Sequence, residues 1–295
     1  MTPQGHPQGN SPAATGSQQA IQEALALHRA GKHDLAMQRY VAVLQQDPAN
    51  LDALYYVAVL ALQEGQHAEG LKVIQRAIDV GPPQARLHNL MGQAHLRQNQ
   101  DEDALNCFSR AIETDPAFPD AYGNRATLLA EMGRFEEAVS DYDRALRLRP
   151  DNAEDLCNRA SALVDLGRLD EALAGLDRAI ALMPAMAPAH FNRGDVLLRM
   201  GRPHEALRDY DQSIRLYPKM AAAHSQRALA LTALGRLDQA LASVDHALSL
   251  QADLAQAHAT RGTVLQALNR NDEANASFKR AAELNPKLAK LLDKG

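Results

Sequence analysis

An all-α solenoid of tandem helical hairpins is the fold class this sequence predicts, and three observations carry it. Pro48, Pro82, Pro116, Pro150, Pro184 and Pro218 stand 34 residues apart, with Ala252 in the next slot and Pro286 in the one after. Columns restricted to small residues recur in the same register. A Gly or Asn column splits each period into two segments whose apolar residues follow helical spacing.

Starting each unit 31 residues before its proline slot gives eight units without insertions: 17–50, 51–84, 85–118, 119–152, 153–186, 187–220, 221–254 and 255–288. The eighth position reads Ala24, Ala58, Gly92, Ala126, Ala160, Gly194, Ala228 and Gly262. The twentieth reads Ala36, Gly70, Ala104, Ala138, Ala172, Ala206, Ala240 and Ala274, so two helices are expected to approach closely there. Bulk comes from the twenty-fourth, where Tyr40, Ile74, Phe108, Tyr142, Leu176, Tyr210, Val244 and Phe278 recur. The turn column is Gly in six units and Asn99 and Asn269 in two, the residue types that best tolerate positive φ and end a first helix. Proline closes the second helix because it cannot continue the hydrogen-bond ladder.

A 34-residue helix-turn-helix with these columns resembles a tetratricopeptide repeat over 17–288. The resemblance implies a right-handed α-solenoid of eight tandem repeats. The family's usual Trp at position four is absent; Tyr122 is the nearest substitute and His88, His190, His224 and His258 fill the slot elsewhere. Because the family serves many partners, fold is specified far better than function.

The ends and the first units depart from regularity. Residues 1–16, rich in Gly, Pro, Gln and Ser, are expected to be a disordered lead with no secretory signal. In the first unit Ala20 stands where a ring is usual, which marks an end unit. Tyr55 and Tyr56 in the second unit read equally well as inner-surface residues or as core, and His95 and Asn99 predict a looser third. Asn275 blunts the apolar face of the last unit, and 287–295 reads as a short cap helix over its open face.

Composition narrows the partner classes. Net charge is −5 and aromatics make up 4%, which gives no reason to expect nucleic acid or an anionic membrane. No apolar stretch reaches the roughly 18 residues of a membrane span. Cys107 and Cys157 sit in different units and different hairpin positions, so no disulfide is expected, and a reducing, cytoplasmic setting fits.

The resemblance implies that the first helix of each hairpin lines a concave groove through positions two, five, six, nine, twelve and thirteen. Position six carries Asn124, Asn158, Asn192 and Gln226 in four consecutive units. An amide offers two donors and an acceptor, so such a row can bond an extended peptide backbone without reading its side chains. It resembles the asparagine ladder of O-linked N-acetylglucosamine transferases. Other groove positions hold Asp120, Glu131, Glu154, Asp165 and Asp195 against Arg199, a mildly acidic surface suited to a basic or neutral peptide; a solvated helix face accounts for the same charges. The family's carboxylate clamp is not supported, because positions two and five hold no Lys or Arg in units four to seven and position six holds none in any unit.

Two further constellations read as structural. Arg125, Arg159, Arg193, Arg227 and Arg261 at position seven recur with Asp143, Asp177, Asp211 and Asp245 at position twenty-five, and with Asp141 and Asp209 at twenty-three, so internal ion pairs with the partner helix are expected rather than a track for acidic ligands. The position-four histidines sit on helices about 8 to 10 Å apart, too far to share one zinc at about 2.0 to 2.1 Å. They read as half-buried aromatic substitutes, with no metal or cofactor.

No nucleotide-loop, nucleophile-elbow or zinc-protease motif is present. The sequence therefore predicts a non-catalytic scaffold or adaptor binding an extended peptide segment, with self-association through terminal repeats as a compatible addition. The alternative is the substrate-targeting repeat part of a glycosyltransferase-like system whose catalytic region lies elsewhere.

Overall fold

The structure, a computed structural model, describes residues 12–288; the remainder of the lead and most of the cap, 289–295, lie outside the described residues. It is all-α, with sixteen full-length helices, a further helical segment over 286–288 and no strand among the described residues. The chain divides into two compact units, Met1–Leu128 and Leu129–Gly295.

The first unit holds α1 (Pro12–Arg29), α2 (His33–Gln46), α3 (Leu51–Gln63), α4 (His67–Val80), α5 (Ala85–Leu96), α6 (Asp101–Thr114) and most of α7 (Pro119–Glu131). Helix α1 begins inside the stretch expected to be disordered, so residues 12–16 correct that expectation: Pro12 suits a first helical turn, where the missing N–H is unneeded. The second unit holds α8 (Phe135–Leu148), α9 (Ala153–Asp165), α10 (Leu169–Leu182), α11 (Ala187–Arg199), α12 (Pro203–Leu216), α13 (Ala221–Ala233), α14 (Leu237–Leu250), α15 (Ala255–Ala267) and α16 (Asn271–Leu284). Within the first unit α1 packs on α2, α3 on α4 and α5 on α6, and within the second α9 packs on α10, α11 on α12, α13 on α14 and α15 on α16, each hairpin also meeting the next in its unit.

The turn column works as its chemistry requires. Gly31, Gly65, Gly133, Gly167, Gly201 and Gly235 adopt φ between 71° and 77°, and Asn99 and Asn269 adopt 57° and 59°. The following N–H reaches back to the helix, as in Arg168 N to Leu163 O at 2.8 Å and Gln100 N to His95 O at 3.0 Å. This left-handed termination satisfies carbonyls that a helix end would leave open. The third unit, expected to be looser, makes the same turn with Asn99.

The small columns are buried: Ala36, Ala138, Ala172, Ala206 and Ala240 are fully inaccessible. Tyr40, Phe108 and Tyr210 at position twenty-four are equally enclosed. Three of the rings stand opposite a glycine at position eight. A Cβ on Gly194 would lie 2.7 Å from the Tyr210 ring, and one on Gly92 would lie 2.5 Å from Phe108; Gly262 faces Phe278 in the same way. In these three units the absent side chain leaves the space the ring fills, whereas the units of Tyr40 and Tyr142 bury the ring with Ala24 and Ala126 in that slot.

Candidate functional site

The expected groove residues fall in both units: Asp120 and Asn124 in the first, and Glu131, Glu154, Asn158, Asp165, Asn192, Asp195, Arg199 and Gln226 in the second. In the second unit α9, α11, α13 and α15 contact one another directly, forming a face made only of first helices. Ser225 Oγ donates to Thr260 Oγ1 at 3.2 Å, Asn192 Nδ2 to Ser161 Oγ at 3.1 Å, and Gln226 Nε2 to Asp195 Oδ1 at 3.0 Å. Positions five, six and nine of neighbouring first helices therefore adjoin.

The four amides are not equivalent. Asn124 Nδ2 donates to Asn89 Oδ1 at 2.8 Å, while Asn192 and Gln226 are tied to the preceding first helix, α9 and α11 respectively. Gln226 leaves its Oε1 buried without a partner. Asn158 is exposed and has no hydrogen-bond partner among the described residues. Asn158→Ala should change stability by no more than about 0.5 kcal/mol, whereas Asn192→Ala should cost about 1 kcal/mol through its lost bond to Ser161. Urea unfolding of the two variants checks the difference.

The carboxylates also divide. Asp195 accepts from Tyr210 Oη at 2.6 Å as well as from Gln226, so it serves the fold before any ligand. Burial pushes its carboxyl above the usual carboxylate range, and these two bonds oppose the shift. Glu131, Glu154 and Asp165 are exposed and have no cationic partner among the described residues. Glu154, Asn158, Ser161 and Asp165 follow i, i+4, i+7, i+11 spacing along α9, which places all four on one exposed stripe. Arg199 is exposed at the end of α11, and Asp120 is half-buried.

In the first unit Tyr55 and Tyr56 are both half-buried and packed against core clusters. Tyr56 stacks on Tyr40 with centroids 5.4 Å apart, and Tyr55 is half-buried with the Arg86 guanidinium 4.8 Å above its ring. Arg86 also pairs with Asp52.

The position-seven arginines form ion pairs, but those with position twenty-five join successive hairpins rather than the two helices of one hairpin. Arg159 reaches Asp143 at 2.6 Å, Arg193 reaches Asp177 at 2.7 Å, Arg227 reaches Asp211 at 2.7 Å and Arg261 reaches Asp245 at 2.8 Å; each aspartate lies on the preceding hairpin. Arg193 additionally grips the buried Asp209 of its own hairpin through Nε and Nη2. Arg125 meets Ser109 at 3.0 Å, because that slot holds serine. A cleft of about 270 Å³ beside Arg193 is lined by Arg193, Arg202 and Arg208 against Asp177, Glu205 and Asp209, so its charges balance internally.

The position-four histidines have a role beyond filling space. His190, His224 and His258 place Nε2 at 3.0, 2.9 and 2.9 Å from the carbonyls of Pro184, Pro218 and Ala252, and Tyr122 Oη points at that of Pro116. Each ring thus ties a first helix to the loop before it. Recurrence of one hydrogen-bonding ring type in one slot was the available signal; its partner, a backbone carbonyl, leaves no mark in a sequence.

Two histidines of this slot, His224 and His88, give the fold a pH dependence. Burial lowers the His224 pKa, with His246 at 4.5 Å and Arg227 lowering it further while the Pro218 carbonyl bond opposes them; burial likewise lowers that of His88. A lowered histidine pKa contributes stability that is complete above the unfolded value of about 6.5 and is lost as pH falls through the folded value. The melting temperature should therefore drop between pH 7.5 and 5, and His224→Phe should shrink that drop.

Cys107 and Cys157 are both free and buried, and burial raises both thiols, that of Cys157 to about 11. Neither is a thiolate at neutral pH. No helix among the described residues is long and apolar enough to cross a membrane.

A stacked array of helical hairpins whose polar first-helix face runs along successive units is the architecture of a repeat protein. Tetratricopeptide repeat models match residues 27–94, 89–153, 151–219, 191–257 and 255–288, and the chain belongs to the tetratricopeptide repeat family. No curated protein sequence matches it. Among solved structures it is similar to the anaphase-promoting complex hetero-tetramer Cut9–Hcn1, with 20% identity, TM-score 0.69, and coverage of 93% of this chain and 55% of that one. It is also similar to PilW, a type IV pilus biogenesis factor, with 22% identity, TM-score 0.62, and coverage of 70% and 98%. A tetratricopeptide repeat protein from Parabacteroides merdae follows at 17% identity, TM-score 0.60, and coverage of 85% and 99%. The chain spans about half the length of the Cut9–Hcn1 chain it matches, and at these identities the likeness is one of fold.

Proposed function

We propose that the chain is a non-catalytic interaction scaffold that holds an extended, basic or neutral peptide segment against the first-helix face of its second unit. The observation that carries this reading is the α9 stripe. Glu154, Asn158, Ser161 and Asp165 are exposed in line, the Asn158 amide is unengaged, and neither carboxylate has a cationic partner among the described residues. An unengaged amide can donate to and accept from a peptide backbone, and uncompensated carboxylates favour a Lys- or Arg-bearing segment. Family membership and the likeness to Cut9–Hcn1, an assembly of several chains, support the scaffold reading.

The test is fluorescence anisotropy with labelled extended peptides of equal length carrying lysine, no charge or glutamate. Lysine-bearing peptides should bind best, and the Asn158→Ala, Asp165→Asn double variant should lose most of that binding without a change in helical content. Equal binding by the double variant would move the site off this face.

A further inference from the structure

A second surface lies away from the first-helix face, at the C-terminal ends of the second helices. In six of the eight second helices the residue after the last turn is polar or glycine: Asp47, Gly81, Asp115, Arg149, Gln251 and Asn285. Helices α10 and α12 instead place Met183 and Tyr217 there, 50% and 53% exposed. The residues before them, Leu182 and Leu216, are exposed and half-exposed, and the same slot on the flanking helices holds the exposed Leu148 and Leu250. Scattered apolar side chains at a surface carry no message, but a ridge of them at one repeated position does.

Charge says what kind of partner would cover it. Most arginines of the second unit are paired with acids, Arg149 and Arg178 near this end included, but three cations close in sequence to the ridge are not. Arg147 and Lys219 are exposed and make no side-chain hydrogen bond or ion pair among the described residues, and Arg215 bonds only the neutral Gln212. The acids nearest the ridge in sequence are already engaged, Asp151 by Arg178 and Asp253 by Arg280. The ridge is therefore apolar and flanked by uncompensated cations, the reverse of the α9 stripe.

We infer that this ridge docks a short acidic amphipathic segment of another protein, whose aliphatic or aromatic side chains cover Met183 and Tyr217 while its carboxylates meet Arg147, Arg215 and Lys219. An anionic membrane would offer similar chemistry. A peptide is favoured because the chain as a whole carries a net charge of −5, which an extended anionic surface would repel and a short segment within a Debye length of about 10 Å of the cations would not.

The experiment uses a fluorescein-labelled twelve-residue peptide of Leu, Phe, Asp and Glu, its twin with Lys in place of the acids, and phosphatidylserine vesicles. The full chain should bind the acidic peptide at least roughly tenfold more tightly than the basic twin. Met183→Gln with Tyr217→Gln, and separately Arg147→Gln with Arg215→Gln, should each weaken that binding by a similar factor. Both pairs are on the surface, so melting temperature and helical content should hold. Asn158→Ala should leave acidic-peptide binding intact, which separates this surface from the first-helix face. No preference for the acidic peptide, binding indifferent to the ridge variants, or binding lost with Asn158→Ala would overturn the inference. Vesicle capture that depends on Tyr217, without peptide binding, would overturn it in favour of lipid.

Discussion

Arg193→Met is expected to lower stability by about 3 to 5 kcal/mol, the cost of leaving one member of a buried ion pair alone. Asp209 is 5% exposed and receives two bonds from the guanidinium, at 2.8 and 2.7 Å; without them only His190, at 3.3 Å, faces it. The hydrogen bonds to Asp209, then those to Asp177, hold the arginine's own pKa above its ordinary value against the effect of burial. Methionine preserves most of the packing, so the loss reports the charge. The Arg168–Glu171 pair serves as control. It lies three residues apart on one exposed helix turn, and Arg168→Met should leave the urea midpoint unchanged. Equal effects of the two substitutions would show that the Arg193 cluster adds nothing beyond surface charge.

Ala138→Leu is the second large effect. Ala138 is fully buried on α8, in the column where every unit carries Ala or Gly. Three added heavy atoms have no space to enter, and overpacking should cost about 1 to 3 kcal/mol. Thermal melting monitored at 222 nm would detect it, and an unchanged melting temperature would mean that the column is not a close-contact site.

The architecture was legible because the features that fix it are local and repeated eight times. A left-handed turn needs Gly or Asn, and a close helix approach needs Ala or Gly, so each constraint writes itself into a column. The ion pairs were half legible: the arginine and aspartate columns predicted pairing. That the partner belongs to the preceding hairpin depends on how hairpins stack, which a column does not record. The amide row illustrates the limit. Asn124, Asn158, Asn192 and Gln226 are equivalent by register, yet three of them are engaged by side chains at positions five or nine of a neighbouring helix. Those side chains differ from unit to unit, so what leaves Asn158 unengaged is set by its surroundings rather than by its own column. Met183 and Tyr217 escaped notice because an apolar residue in a helical pattern reads as core until its exposure is known.

The arginine links have a consequence for how the second unit comes apart. A linear array in which each hairpin touches only its neighbours melts as a chain of coupled switches, and the coupling resides at the junctions. In this unit the junctions carry Arg159–Asp143, Arg193–Asp177, Arg227–Asp211 and Arg261–Asp245, so opening an interior hairpin breaks two ionic links and opening the last breaks one. Added salt screens such links and leaves the apolar interior of each hairpin nearly untouched. Raising ionic strength should therefore broaden the transition more than it lowers its midpoint, turning one concerted event into fraying that starts from α16.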